Sequence, residues 1–187
     1  MSAAEADSSA PRARRANVVL IGARGSGKSV LGRALAERLD REFVDTDELI
    51  GLAAGCSADE WLAREGERRF RELEAAALEQ AATRSGAVVA TGGGSVTCGP
   101  AFARLAQSGV VLWLQAGEET LRRRARSRPR PPLAGLPPEE DVLALARLRA
   151  PLYAAAAQHV VSVDVGDPIL AALSALGPDF GEGCAPD

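Results

Sequence analysis

Cysteine is scarce here: Cys56, Cys98 and Cys184 are the only three in 187 residues. An odd, scattered set fits neither a disulfide framework nor metal-ligand spacing, so they read as reduced thiols. The single histidine, His159, falls beside a predicted strand and is assigned no catalytic role. No apolar run approaches the ~20 residues of a membrane span. Positive charge is not in excess, since a formal net charge of −3 argues against a general nucleic-acid binder. The N-terminus mixes Glu5 and Asp7 with Arg12, Arg14 and Arg15 and lacks the apolar centre of a secretory signal. Internal repeats and domain linkers are also missing. These absences predict a soluble cytoplasmic domain without membrane or nucleic-acid partners. Hydrophobic residues at 47% and charged residues at 25% complete an ordinary globular balance. One domain over residues 17–176 is expected, between a disordered tail at 1–16 and a flexible one at 177–187.

What is present begins with Gly22-Ala23-Arg24-Gly25-Ser26-Gly27-Lys28-Ser29, which fits the phosphate-binding pattern G-x-x-x-x-G-K-[ST]. Its context agrees: the apolar run Asn17–Ile21 leads in, and residues 30–39 lead out with helical spacing. Glycines let successive backbone N–H groups point at phosphate oxygens, at the positive end of the following helix. In this pattern Lys28 reaches the β- and γ-phosphates and Ser29 ligates Mg²⁺. A plain Gly-rich turn does not require these residues together between a strand and a helix.

Further strands are predicted at Glu42–Val44, Ala87–Ala90, Val110–Leu114 and Val160–Val163. Helices are predicted over residues 48–54, from Ser57-Ala58-Asp59-Glu60 with its capping-box spacing, and over 67–84, 100–107 and 168–176. Another starts at Glu139 and is expected to break near Pro151. Short apolar strands alternating with helices predict a parallel sheet covered on both faces, with ligands at the C-terminal strand ends.

Four constellations carry candidate chemistry. Asp45 and Asp47 end the second strand; one can serve Mg²⁺ through water while the other faces a substrate hydroxyl, or Asp47 or Thr46 can simply cap the next helix. Arg71 and Glu74 can simply pair along one helix face, or Arg71 can clamp a substrate carboxylate. Gly92-Gly93-Gly94 forms a ligand floor or a tight turn with positive φ. Six arginines between Arg122 and Arg130 form a solvated face, a nucleic-acid patch or a flap over a nucleotide. The Pro-rich stretch 129–135 favours the flap, which excludes water and brings charge to a transferring phosphoryl group.

In this order the motifs resemble the shikimate kinase family: Gly-Ser-Gly-Lys-Ser (25–29), Asp-Thr-Asp (45–47), Phe-Arg-x-x-Glu (70–74), Gly-Gly-Gly-Ser-Val-Thr (92–97), Arg-Pro (130–131) and Arg-Ala-Pro-Leu-Tyr (149–153). The resemblance covers residues 18–176 and implies a three-layer α/β/α P-loop kinase fold. Its five-stranded parallel sheet would have the order 2-3-1-4-5, with a shikimate-binding helical region and a lid at about 118–138. It implies transfer of the γ-phosphoryl of ATP to the 3-hydroxyl of shikimate with Mg²⁺, in aromatic amino acid biosynthesis, by a cytoplasmic monomer. Carried over by motif, Gly25, Ser26, Gly27, Lys28, Ser29, Val30, Arg123 and Arg130 hold ATP. Ser29 and, through water, Asp45 serve Mg²⁺. Asp47, Arg71, Gly92, Gly93, Gly94 and Arg149 hold shikimate, with Lys28, Asp47 and Arg130 catalytic. Three positions depart from the family pattern: Val30 replaces a usual Thr, Pro132 a usual Leu, and segment 165–168 is short. Rival readings are a gluconate-type kinase, which should carry His-Pro after the second strand, and a non-catalytic sensor of nucleotide or shikimate.

Overall fold

A computed structural model describes residues 15–127 and 135–180 of the chain. Strand β1 (Asn17–Ile21) is buried at all five positions, as a continuous apolar run requires when both sheet faces are covered. After the glycine-rich loop come α1 (Lys28–Leu39), β2 (Phe43–Asp45), α2 (Thr46–Ala54), the long α3 (Ala58–Ala82) and β3 (Val88–Ala90). A short 3₁₀ turn (Ser95–Thr97) leads to α4 (Gly99–Gln107), β4 (Gly109–Gln115) and α5 (Glu118–Ser127). The described chain closes with α6 (Pro138–Ala156), β5 (His159–Ser162) and α7 (Pro168–Leu176).

All strand pairs are parallel, in the order β2-β3-β1-β4-β5. Side-chain alternation along β1 divides the core in two. Val18 and Leu20 face Leu35, Ala172 and Leu176 of α1 and α7. Val19 and Ile21 face Leu78, Phe102, Leu105 and Tyr153 of α3, α4 and α6. This is the expected three-layer arrangement. At the opposite end of the sheet from the glycine-rich loop, buried Asn17 donates to the Arg84 carbonyl and Ser108 hydroxyl, both at 2.9 Å, and accepts from Ala87 N–H at 2.8 Å. That set holds β1 level with β3 and β4. Among the described residues no helix is long and apolar enough to cross a membrane.

Two expectations change. Helix α6 runs through Pro151 without a break. Proline removes one N–H from the ladder, but Tyr153, only 1% exposed, anchors the final turn in the core. The start of the tail expected to be loose from Gly177 is also folded. Residues Pro178–Phe180 form a 3₁₀ turn, and Phe180 packs on the core under the Arg41 guanidinium, 4.9 Å from its ring centroid. At the other end Arg15 and Ala16 are already tied in, their carbonyls accepting from Gly86 N–H and Arg41.

Candidate active site

The C-terminal ends of β1, β2 and β3 meet along one open cleft of about 790 Å³, within the usual range for small-molecule sites. Gly25 and Gly27 take φ of 82° and 99°, the left-handed region that bends the loop back on itself. Helix α1 then starts with no side-chain cap and no acidic residue in its first turn. Its orphan N–H groups and positive dipole end therefore face the cleft as an anion site. Lys28 is buried and donates to the carbonyls of Gly22 (2.8 Å) and Ala23 (2.9 Å). The ammonium is thus held inside the loop, where phosphate oxygens can replace the carbonyls.

The helix cap expected from Asp47 or Thr46 is supplied instead by Asp45, which does two things. Its Oδ1 caps α2 by accepting from Asp47 N–H at 3.0 Å, and its Oδ2 accepts from the Ser29 hydroxyl at 2.6 Å. Capping by Asp45 turns Asp47 into the first turn of α2, where it lines the cleft. The Ser29 hydroxyl and Asp45 carboxylate form an all-oxygen pair at the mouth of the phosphate loop, the donor chemistry that suits Mg²⁺.

The glycine triplet ends β3 and has no positive φ at any of its three positions, so a strained turn is not its reason. A Cβ at Gly92 would lie 3.1 Å from Asp47 Oδ1 and 3.0 Å from Glu74 Oε1. At Gly93 it would meet the Arg24 backbone nitrogen at 2.9 Å, and at Gly94 the Arg71 guanidinium at 2.5 Å. Each glycine admits a different functional neighbour.

Arg71 is held from behind. Its Nη1 donates to Glu74 Oε2, and its Nη2 to Glu67 Oε1 at 3.1 Å. Glu74 is only 1% exposed and also accepts from Ser95 Oγ (3.0 Å) and Cys98 Sγ (3.2 Å). Burial alone would lower the Arg71 pKa; the Glu74 charge and the bonds to Glu74 and Glu67 outweigh it and raise it. Burial, followed by the Glu74 carboxylate, pushes the Cys98 thiol up to about 12, so it stays a neutral donor. Arg149, buried on α6, lines the cleft with Arg71. One turn on, the Tyr153 hydroxyl donates to the Gly93 carbonyl at 2.5 Å. Burial pushes that phenol up to about 12, with the Arg149 charge and hydrogen bond pulling the other way.

Most sequence-predicted site residues converge here: Gly25 to Val30, Asp47, Arg71, Gly92 to Gly94 and Arg149 all line the cleft. Arg123 does not; its Nη2 lies 3.4 Å from Thr120 Oγ1. The neighbouring Arg124 reaches the loop instead, donating to the Gly25 carbonyl at 2.8 Å. The α-helical spacing explains the exchange: Leu121 is buried, and Arg124, three residues later, projects from the same face. Arg130 and Pro132 lie outside the described residues. Sequence reasoning passed over the burial of Glu74, the Tyr153 bond, Arg124 and an ion pair from Arg24 to Asp59. Only Tyr153 had a usable signal, its four-residue spacing from Arg149.

An unblocked helix N-terminus, a lysine-bearing glycine loop and an opposing pair of arginines define a P-loop phosphotransferase for a small anionic acceptor. The family model for shikimate kinase matches residues 24–172. The chain is 45% identical over 151 residues to a shikimate kinase of Symbiobacterium thermophilum, covering 79% of this chain and 87% of that protein. It is 42% identical over 172 residues to one from Synechococcus sp., covering 88% of each. The solved shikimate kinase of Acinetobacter baumannii, in complex with shikimate, superposes with a TM-score of 0.77 at 35% identity, covering 84% of this chain and 89% of that one. The chain belongs to the shikimate kinase family.

Proposed function

We propose that this protein transfers the γ-phosphoryl group of ATP to the 3-hydroxyl of shikimate, giving shikimate 3-phosphate and ADP. One observation carries the reading: a single cleft joins the phosphate loop to Arg71 and Arg149, with Asp47 also on its lining. Shikimate has one carboxylate and several hydroxyls. Two arginines suit the carboxylate and one aspartate suits the reacting hydroxyl. The gluconate-type reading lacks support, because Glu48 and Leu49 follow Asp-Thr-Asp where a His-Pro element is expected.

In this mechanism the loop amides and Lys28 hold the β- and γ-phosphates. Lys28 exchanges its loop carbonyls for phosphate oxygens. Arg71 and Arg149 fix the acceptor carboxylate, while Gly92, Gly93 and Gly94 let the ring approach the backbone. Asp47 orients the 3-hydroxyl and accepts its proton late, since a loose transition state asks little of a base. Ser29 and, through water, Asp45 would hold Mg²⁺, which neutralises charge on the phosphates when bound. Arg130 is the lid arginine of this reading, and Arg124 adds a cation at the loop carbonyl of Gly25. Val30, exposed in the first turn of α1, offers no hydroxyl to the nucleotide and weakens its binding. Free thiols at Cys56 and Cys98 support a cytoplasmic setting.

A coupled ADP-release assay against shikimate, gluconate and nucleoside monophosphates tests the activity. Turnover is expected with shikimate and should fall at least about a hundredfold in Asp47→Asn. Absence of turnover with shikimate overturns the proposal, and an undiminished Asp47→Asn overturns the role of Asp47.

A further inference from the structure

Arg24 is the third residue of the phosphate loop, and its side chain leaves the loop altogether. Its Nη2 donates to Asp59 Oδ1 at 2.5 Å. Asp59 stands in the first turn of α3, where the helix dipole favours a carboxylate. The two side chains are 21% and 29% exposed and both residues line the cleft. The backbone of Arg24 meanwhile packs against Gly93, so this one residue touches the donor loop, the glycine floor and α3.

The segment that Asp59 belongs to is articulated. Gly66 takes φ 83° and ψ 171° inside α3, dividing it into residues 58–65 and a longer part carrying Arg71. Ala58, Leu62 and Ala63 of the first part line the same cleft as Arg71 and Arg149. Other ion pairs near the hinge, such as Arg64–Glu65 and Arg69–Glu65, stay within α3. The Arg24–Asp59 pair instead crosses to the loop that must settle around phosphate.

We propose that Arg24 and Asp59 are a positioning pair that couples the two substrate sites. Phosphate binding orders the loop, the loop holds Arg24, and Arg24 holds the hinged start of α3 closed over the acceptor. Each substrate then tightens the other by the same factor, as linkage requires. A partly exposed pair of this kind supports a coupling of about fivefold. The inference rests on the shikimate and ATP assignment above, and its test keeps the two separable.

Shikimate dissociation constants of the full chain are measured by calorimetry, without nucleotide and with a saturating non-hydrolysable ATP analogue and Mg²⁺. The wild type should bind shikimate about fivefold more tightly with the analogue present. Asp59→Asn and, independently, Arg24→Gln should bring this ratio close to one, and Asp59→Glu should restore most of it. Raising salt should lower the wild-type ratio and leave that of Asp59→Asn unchanged. A wild-type ratio of one, or the wild-type ratio persisting in both charge-removing variants, overturns the coupling while leaving the activity standing. No shikimate binding in any sample overturns the activity as well.

Discussion

At the scale of single residues, the proposed acceptor side of the cleft depends on a carboxylate that braces Arg71. Glu74 is buried, accepts from three side chains and fixes the guanidinium of Arg71. Replacing it with glutamine keeps the shape but removes the charge that balances Arg71. Glu74→Gln should raise the shikimate KM about tenfold with a smaller fall in kcat, the loss of one charge-assisted hydrogen bond. Steady-state kinetics at saturating ATP would read this, and an unchanged KM would remove Glu74 from acceptor binding. Gly94→Ala approaches the same guanidinium from the other side, at 2.5 Å. Because the obstructed atoms end a flexible side chain, its melting temperature should stay near wild type while shikimate affinity falls.

Residue identity made some of this readable in advance and hid the rest. The loop lysine, Asp47, Arg71 and Arg149 belong to short motifs whose order is informative by itself. Glu74 belongs to such a motif too, yet its burial depends on Ser95 and Cys98 arriving from another part of the chain. Arg123 and Arg124 are neighbours of identical type, so only the direction of α5 distinguishes them. The Arg24–Asp59 pair spans 35 positions and leaves no periodic trace.

At the scale of elements, α3 shows how one glycine serves two helices. The spacing predicts separate helices from Ser57 and Glu67, and the structure joins them end to end through Gly66. The Ser57 and Glu60 capping box secures the start, with Glu60 Oε2 accepting from Ser57 N–H at 2.8 Å. The conformation at Gly66 is open to glycine and costs about 1–3 kcal/mol for other residues. Gly66→Ala should therefore lower the melting temperature by roughly 2–12 °C, seen by calorimetry. A Cβ there would meet nothing within 4 Å, so strain and not collision is the cause. An unchanged melting temperature would show that the joint relaxes to ordinary helix. The continuity of α6 through Pro151 is the opposite case, in which packing at Tyr153 overrides the local breaking tendency.

At the scale of the whole molecule, two weak acids, the half-buried Cys98 and the buried Tyr153, shape alkaline stability. The Cys98 thiol rises from 9.0 to about 12 and the Tyr153 phenol from 10.0 to about 12, both chiefly through burial. Below pH 9 both are protonated whether the chain is folded or not. Above it the unfolded chain releases protons that the folded chain keeps, so stability declines with pH through this window up to about 12. Thermal melts across that range should show the decline. Cys98→Ser and Tyr153→Phe should each flatten it, and a profile identical to wild type in both would place its origin elsewhere.

The contact between Gly93 and the Arg24 backbone has a practical side. A Cβ on that glycine would come within 2.9 Å of the loop nitrogen, so loop and floor touch without a partition. On the proposed assignment the two substrates would occupy adjoining parts of one room. A molecule that fuses a nucleotide's terminal phosphate to a cyclic hydroxy acid could lie there with almost no tether. Short tethers give the highest effective concentration of the second half once the first is seated. Bisubstrate inhibitors of this enzyme should accordingly gain potency as their linkers shrink, until the acid no longer reaches Arg71 and Arg149.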